Sequence, residues 1–237
     1  LAWVYLLPDS FINFSKSILY SLGFNSNFYF WYSDQQYGTE NSLLIPFLHT
    51  WSLSVEEQYY VLFPIILLII FKFFKKNLVF ILFIFLLVSL LIADMSSKIY
   101  TSSTFYFIHT RVWELMAGSI LAYFEISLGS RKLLNNKLKV INLILPSVGL
   151  FLILSTVVFF KGYFRHPSFY TLIPVIGVCL IIWFSQKNEI VTKMLSTKLF
   201  VSIGLISYSL YLWHYPIFSF DRIIEFTGTN NFKKLLM

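Results

Sequence analysis

The chain has 237 residues, of which 57% are hydrophobic, 20% aromatic and only 12% charged, with a formal net charge of +7. Soluble domains carry about 25% charged residues. So few charges, with a mean hydropathy of +0.73, exclude a soluble globular enzyme, a disordered chain and a secreted disulfide scaffold. The single cysteine, Cys179, lies in an apolar run and has no partner for a disulfide. The four histidines show no metal-ligand spacing, so no metal site is expected.

A helix needs about 20 apolar residues to cross the hydrocarbon core of a bilayer. In chain order, Leu1–Leu7, closed by Pro8 and Asp9, reads as the tail of an earlier helix. Phe11–Trp31 is a weak candidate span, because it holds Lys16 and several Ser and Asn. Six stronger runs follow: Trp51–Phe71, Leu78–Ala93, Phe105–Phe124, Val140–Phe160, Phe169–Phe184 and Leu199–Phe220. None of them alternates as a barrel strand would. The expected fold is all-α, a polytopic membrane bundle with six to seven transmembrane helices. No repeat, linker or separate soluble domain interrupts residues 1–237, and the chain reads as part of a longer protein.

Loop cations set an expected orientation. Lys72, Lys75, Lys76, Arg131, Lys132, Lys137, Lys139, Lys187, Lys193 and Lys198 fall in one set of loops; Lys98, Lys161, Arg165 and Arg222 fall in the other. The positive-inside rule places the richer set in the cytoplasm and the loop with Asp34 and Glu40 outside. The cations lie between apolar runs and form no single patch. They suit membrane lipids as partners, not nucleic acid. A multi-pass location in the inner membrane follows as the expectation.

Ionisable residues inside membrane helices cost about 2.5–3.5 kcal/mol near the centre and call for a reason. Three groups stand out. The first is His49-Thr50-Trp51-Ser52-Leu53-Ser54-Val55-Glu56-Glu57-Gln58-Tyr59-Tyr60. A capping box between Ser54 and Glu57 would explain part of it, but not His49, Glu56 and Gln58 together. A carboxylate near a histidine is an acid–base or orienting pair. The second is His109-Thr110-Arg111-Val112-Trp113-Glu114, with Gly118 following, where Arg111 and Glu114 are spaced to pair on one helix face. An arginine there suits an anionic or polar substrate, and Gly118 would allow close helix approach. The third is Ser207-Tyr208-Ser209-Leu210-Tyr211-Leu212-Trp213-His214-Tyr215-Pro216. Its tyrosines lie near one face, able to hydrogen-bond a sugar. Arg165-His166-Pro167 reads as an exposed turn. The charge rule puts all three groups on the outer side, as around one shared cavity.

At these three groups the sequence resembles the acyltransferase-3 family of membrane enzymes, which includes the O-antigen acetylases. The resemblance covers nearly the whole chain, and the three segments occur in the family's order. It implies transfer of an acyl group, usually acetyl, from acetyl-CoA to a hydroxyl of a cell-envelope carbohydrate such as O-antigen or exopolysaccharide. It implies no bound cofactor, acetyl-CoA being a substrate. His49, Glu56 and Glu57 are then the catalytic candidates; Arg111, Glu114, Tyr208, Tyr211 and His214 are the substrate-binding ones. Lys72-Phe73-Phe74-Lys75-Lys76 reads first as a topology determinant, with attraction of the phosphates of CoA as the alternative. One departure matters. The family's arginine–histidine signature, with ten residues between, is absent here and is expected upstream of Leu1, which leaves His49 and its companions for positioning and support. A transporter or flippase of a lipid-linked sugar, and a catalytically inactive fragment, are the alternatives.

Overall fold

The computed structural model describes residues 1–33, 42–127, 139–160, 164–186 and 189–226. Among these residues there is no strand, and eleven α-helices occur. Two compact units are formed, one from Leu1–Val61 with Gly204–Met237 and one from Leu62–Ile203.

The first unit opens with α1 (Ala2–Tyr5) and α2 (Pro8–Leu22). Pro8 at the first turn and Asp9 beside the positive end of the dipole start α2 where the chain permits it. The helix ends in a Schellman motif. The Phe24 N–H donates to the Ser21 carbonyl at 3.2 Å and the Asn25 N–H to the Tyr20 carbonyl at 2.8 Å. Glycine is usual at the left-handed position of this motif, but Phe24 occupies it with φ 55°. The Gln58 amide, donating to the Phe24 carbonyl at 2.8 Å, helps to hold it there.

The chain turns into α3 (Ser26–Tyr32) and, after a short 3-10 turn at Ser42–Leu44, into α4 (Thr50–Phe74). A ladder of hydroxyls ties these helices together. Ser21 and Thr50 share a hydrogen bond at 2.7 Å, Thr50 donates to Ser26 at 3.2 Å, and Ser26 and Ser54 share one at 2.7 Å. Gln58 also donates to the side-chain oxygen of fully buried Asn27 at 2.9 Å. Ser54 therefore does not open α4 in a capping box: the helix begins a turn earlier, at Thr50, and the Ser54 hydroxyl is spent on α3. The segment Gly204–Phe226 of α11 (Lys198–Phe226) completes this unit. Leu48, Trp51, Val55 and Tyr59 from the α4 side, with Phe220, Ile223 and Ile224 from α11, are buried in it.

The second unit holds the remainder of α4, then α5 (Leu78–Ser96), α6 (Thr101–Tyr106), α7 (Val112–Ser127), α8 (Lys139–Phe159), α9 (Leu172–Phe184) and α10 (Ile190–Leu195). Leu90, Ala93 and Trp113 form a buried cluster flanked by Leu86, Leu172 and Val175. Helices α8 and α9 meet at glycine. A Cβ on Gly149 would lie 2.5 Å from the Gly177 carbonyl oxygen, and one on Gly177 would lie 2.7 Å from that of Gly149. Gly118, expected to serve such an approach, has nothing within 4 Å of a Cβ position. Buried Glu189 caps α10 by accepting from the Val191 and Thr192 N–H groups at 2.7 and 2.8 Å.

The all-α class holds, but the expected six to seven transmembrane helices do not. By length and composition, among the described residues only Thr50–Ser96 is long and apolar enough to cross a membrane; Leu143–Phe159 and Phe169–Phe184 are shorter apolar helices. The reason is helix length and mixed polarity. Helix α7 has 16 residues and α9 has 13, about 24 and 20 Å at 1.5 Å per residue, against about 30 Å of hydrocarbon. Helix α11 has 29 residues, but serines, tyrosines and a histidine punctuate it. An apolar run in the sequence is thus not a spanning helix in the fold. The multi-pass inner-membrane location falls with the span count, and so does the sorting of loops into inner and outer sets. Asp34, Glu40, Arg131, Lys132, Lys137, Lys161 and Lys187 lie outside the described residues, as does the side chain of Lys139.

Candidate functional site

The two units each hold one cluster of the ionisable side chains that the sequence singles out. In the first unit the centre is His49, the residue immediately before α4. Its ring is 4% exposed. Four rings surround it. Tyr215 stacks on it with centroids 5.3 Å apart, Tyr211 and His214 meet it edge-on at 5.3 and 5.5 Å, and Phe47 lies tilted at 6.4 Å. The cage is fixed by backbone bonds. The Tyr211 hydroxyl donates to the His49 carbonyl at 2.7 Å and shares a 2.7 Å bond with Ser52. The Tyr215 hydroxyl donates to the Ser42 carbonyl at 3.0 Å.

Neither ring nitrogen of His49 makes a hydrogen bond of good geometry, although both are buried and the Pro46 and Leu212 carbonyls lie close enough to act on the ring. An orphaned buried polar group costs about 1–3 kcal/mol, so its retention calls for an explanation. Burial, and secondly the neighbouring His214, push the His49 ring from the usual 6.5 down to about 4; the nearby Pro46 and Leu212 carbonyls offset this in part. His49 is therefore neutral at physiological pH and offers one N–H and one lone pair. His214 is exposed, and its Nδ1 sits 2.6 Å from the Tyr211 carbonyl and 3.3 Å from that of Leu210. Carbonyls only accept, so Nδ1 carries the proton. In the neutral ring Nε2 is then a free lone pair.

The other residues of the two flanking groups are placed differently. Glu56 and Glu57 are half-buried on α4, and neither carboxylate bonds to the His49 ring. Tyr208 is 60% exposed and takes no part in the cage. Tyr215, one of the tyrosines expected to line one face and wall a pocket, completes the cage together with Phe47, which the sequence did not single out. Tyr215 is spaced i, i+4 from Tyr211, and that spacing was the available signal.

In the second unit Arg111 precedes α7. Its Nε donates to the Phe105 carbonyl at 3.1 Å, its guanidinium lies 4.9 Å from the centroid of the Phe105 ring, and Nη1 is 3.8 Å from Glu114 Oε2. The expected i, i+3 pair is present, although long. Glu114 Oε1 is buried with no partner. His166 joins this group, its ring edge-on to Phe105 at 6.3 Å. His109 stacks on Phe107 at 5.7 Å, and its carbonyl accepts from Ser89 at 2.7 Å. No group of three or more metal-ligating side chains occurs among the described residues.

Comparison with known proteins gives these clusters a context. Residues 16–220 match the acyltransferase-3 family, described as an acyltransferase domain. The chain is 32% identical over 231 residues to the O-acetyltransferase OatA of Staphylococcus aureus strains NCTC 8325 / PS 47 and COL, with 90% of this chain aligned. The chain spans 36% of the length of those relatives. No solved structure matches it.

Proposed function

Because the chain belongs to the acyltransferase-3 family, we propose that it carries acyl-transfer chemistry from an acyl-CoA donor to a hydroxyl of a carbohydrate. The printed name of its relatives, O-acetyltransferase, supports acetyl as the group and oxygen as the acceptor. Acetyl-CoA is then the donor and a cell-envelope glycan, O-antigen or exopolysaccharide among them, the acceptor.

The observation that carries this reading is the caged, neutral imidazole of His49. In the reaction the acceptor oxygen forms a bond to the acyl carbon while the carbon–sulfur bond of the thioester breaks. The hydroxyl proton must leave as that bond forms, and the CoA thiolate must gain one. A neutral imidazole takes the first proton and returns the second, and the enclosure of His49 is our ground for giving it this role in place of the positioning role read from the sequence. His214, exposed and 5.5 Å from His49 between ring centroids, connects that proton to the surface. Tyr211 and Tyr215 hold the ring orientation and wall the site. Glu56 and Glu57, on the first two turns of α4, are left for orienting a substrate hydroxyl. Arg111 and Glu114 are the substrate-binding pair of the second unit; a guanidinium suits the phosphates of a CoA donor.

The test is His49→Ala and His49→Gln in the protein expressed in its host, with acetyl released from the glycan quantified by mass spectrometry. Loss of a general base of this kind slows transfer by about 10²-fold or more at unchanged protein level. Transfer within a few-fold of the parent in both variants would refute the role of His49.

A further inference from the structure

The first unit contains a cavity of about 510 Å³ that the His49 cage does not use. Helix α2 contributes Ser10, Asn13 and Phe14 to its wall, helix α3 contributes Tyr29, and Ser33 follows that helix. The backbone stretch Leu44–Pro46 closes another side. Its volume falls within the range of about 300–1,000 Å³ typical of small-ligand pockets.

The lining selects among ligand classes. Among the described residues the cavity wall is uncharged, a lining that suits a neutral ligand better than the phosphates of a nucleotide donor. The Ser33 hydroxyl is spent on the Tyr29 carbonyl at 2.8 Å, but the Ser10 hydroxyl and the Asn13 carboxamide would be left unsatisfied under a hydrocarbon chain, at about 1–3 kcal/mol for each polar group that became buried. What remains is a neutral ligand with many hydroxyls and one apolar face. The Tyr29 ring supplies a platform: it is stacked on Tyr20 at 4.7 Å and pinned by its hydroxyl to the Asn13 carbonyl at 3.2 Å. The Ser10 hydroxyl and the Asn13 amide make no hydrogen bond to described residues and are free to meet a ligand.

The cavity also reaches the His49 cage through one ring. Phe14, in the cavity wall, packs edge-on against Phe47 at 5.4 Å, and Phe47 is the ring tilted against His49 at 6.4 Å. A second link runs through Tyr215, which stacks on His49 and holds the Ser42 carbonyl of the turn whose last residue, Leu44, lines the cavity. We infer that this cavity is the subsite that holds a neutral carbohydrate segment of the acceptor, next to the sugar whose hydroxyl is acylated. The inference rests on the acyl-transfer reading for its purpose, but not for its binding chemistry.

The experiment separates the two. Ser10→Phe fills the cavity and Asn13→Ala removes an amide; both positions are partly open, so neither change disrupts the fold. Binding of chitotetraose, cellotetraose and maltotetraose to the purified protein is read by saturation-transfer NMR, with CoA and decanoate as competitors. One of the sugars binds, Ser10→Phe abolishes the signal, and neither competitor displaces it. In transfer assays both variants raise the acceptor KM by about tenfold, the worth of one or two hydrogen bonds. The donor KM and the kcat at saturating acceptor do not change. His49→Ala keeps the sugar signal while losing transfer. If the sugar signal is present but the parent protein transfers no acyl group, the acyl-transfer reading fails and the subsite stands. If no sugar binds, if CoA or decanoate displaces it, or if both variants leave signal and acceptor KM unchanged, the subsite is overturned.

Discussion

The two units resolve the same kind of sequence signal in opposite ways. Arg111 and His49 each sit immediately before a helix, in a stretch rich in aromatics and carboxylates. In the second unit Arg111 is engaged, since a backbone carbonyl, an aromatic face and a carboxylate all meet its guanidinium, although the Oε1 of that carboxylate is itself buried without a partner. In the first unit His49 is equally enclosed, but its ring nitrogens make no hydrogen bond of good geometry. The cage around it is bonded to backbone, not to the ring it surrounds. A buried group whose bonds are made supports the fold around it. One whose bonds are withheld keeps them for something that arrives. The difference lies in the partners, and no pattern of residue types displays it.

The largest effect that tests this contrast comes from removing the engaged partner. Arg111→Ala strips the charge that faces Glu114 and leaves a half-buried carboxylate alone. Breaking a buried pair costs about 3–5 kcal/mol; the 3.8 Å separation and the partial exposure of both side chains place the expected loss at the low end. Thermal unfolding of the purified protein reads it. Arg111→Lys recovers the charge but not the fork, and so restores only part. If Arg111 also binds the donor, the donor KM rises in Arg111→Lys by more than its partial loss of stability accounts for. An Arg111→Ala variant as stable as the parent would erase the contrast between the units.

A second test uses pH. The folded protein holds His49 at about 4 against an ordinary 6.5, chiefly by burial. Above pH 6.5 the ring is neutral folded or unfolded and contributes no pH dependence. As pH falls from 6.5 to 4 the unfolded chain takes up a proton that the folded one refuses, and stability declines. The full decline approaches about 3 kcal/mol, and below pH 4 this group adds nothing further. Denaturant midpoints measured from pH 7.5 to 4 show the slope, and His49→Phe removes it. His214→Phe reduces it, since His214 is the second cause of the low value. A His49→Phe profile that matches the parent would assign the slope to other groups.

How much of this was legible beforehand varies by residue. His49, Tyr211 and His214 are visible because histidine and tyrosine are conspicuous in apolar runs, and they do meet. Arg111 and Glu114 are visible from their i, i+3 spacing alone. The ladder of Ser21, Thr50, Ser26 and Ser54 is not, because an isolated serine looks alike whether it bonds its own backbone or another helix. The same limit produced the capping-box reading of Ser54. Gly118 was chosen over Gly149 and Gly177 because it lies in a marked motif, while close approach is a property of two helices at once. The span count failed for a related reason: hydropathy averages over a run, and helix ends are set by local bonds within it.

The smallest test concerns a cost that the first unit carries elsewhere. Phe24 holds φ 55° at the end of α2, a conformation in which an L side chain loses about 1–2 kcal/mol relative to glycine. Its side chain is 43% exposed, so more than half of it is covered and removing it loses about 1–2 kcal/mol of burial. Phe24→Gly gives back the strain but admits more freedom to the unfolded chain, worth about 0.5–1 kcal/mol. The terms nearly cancel, so the thermal midpoint shifts by the equivalent of at most about 1 kcal/mol. The Gln58 bond to the Phe24 carbonyl uses the backbone and survives the change. If acyl transfer is unchanged, the strain is a tolerated accident of the α2–α3 turn, and the orphaned imidazole alone marks the site. If transfer falls while stability holds, the turn helps to set the position of α4 and of His49 before it, and the functional character of the first unit extends beyond its cage.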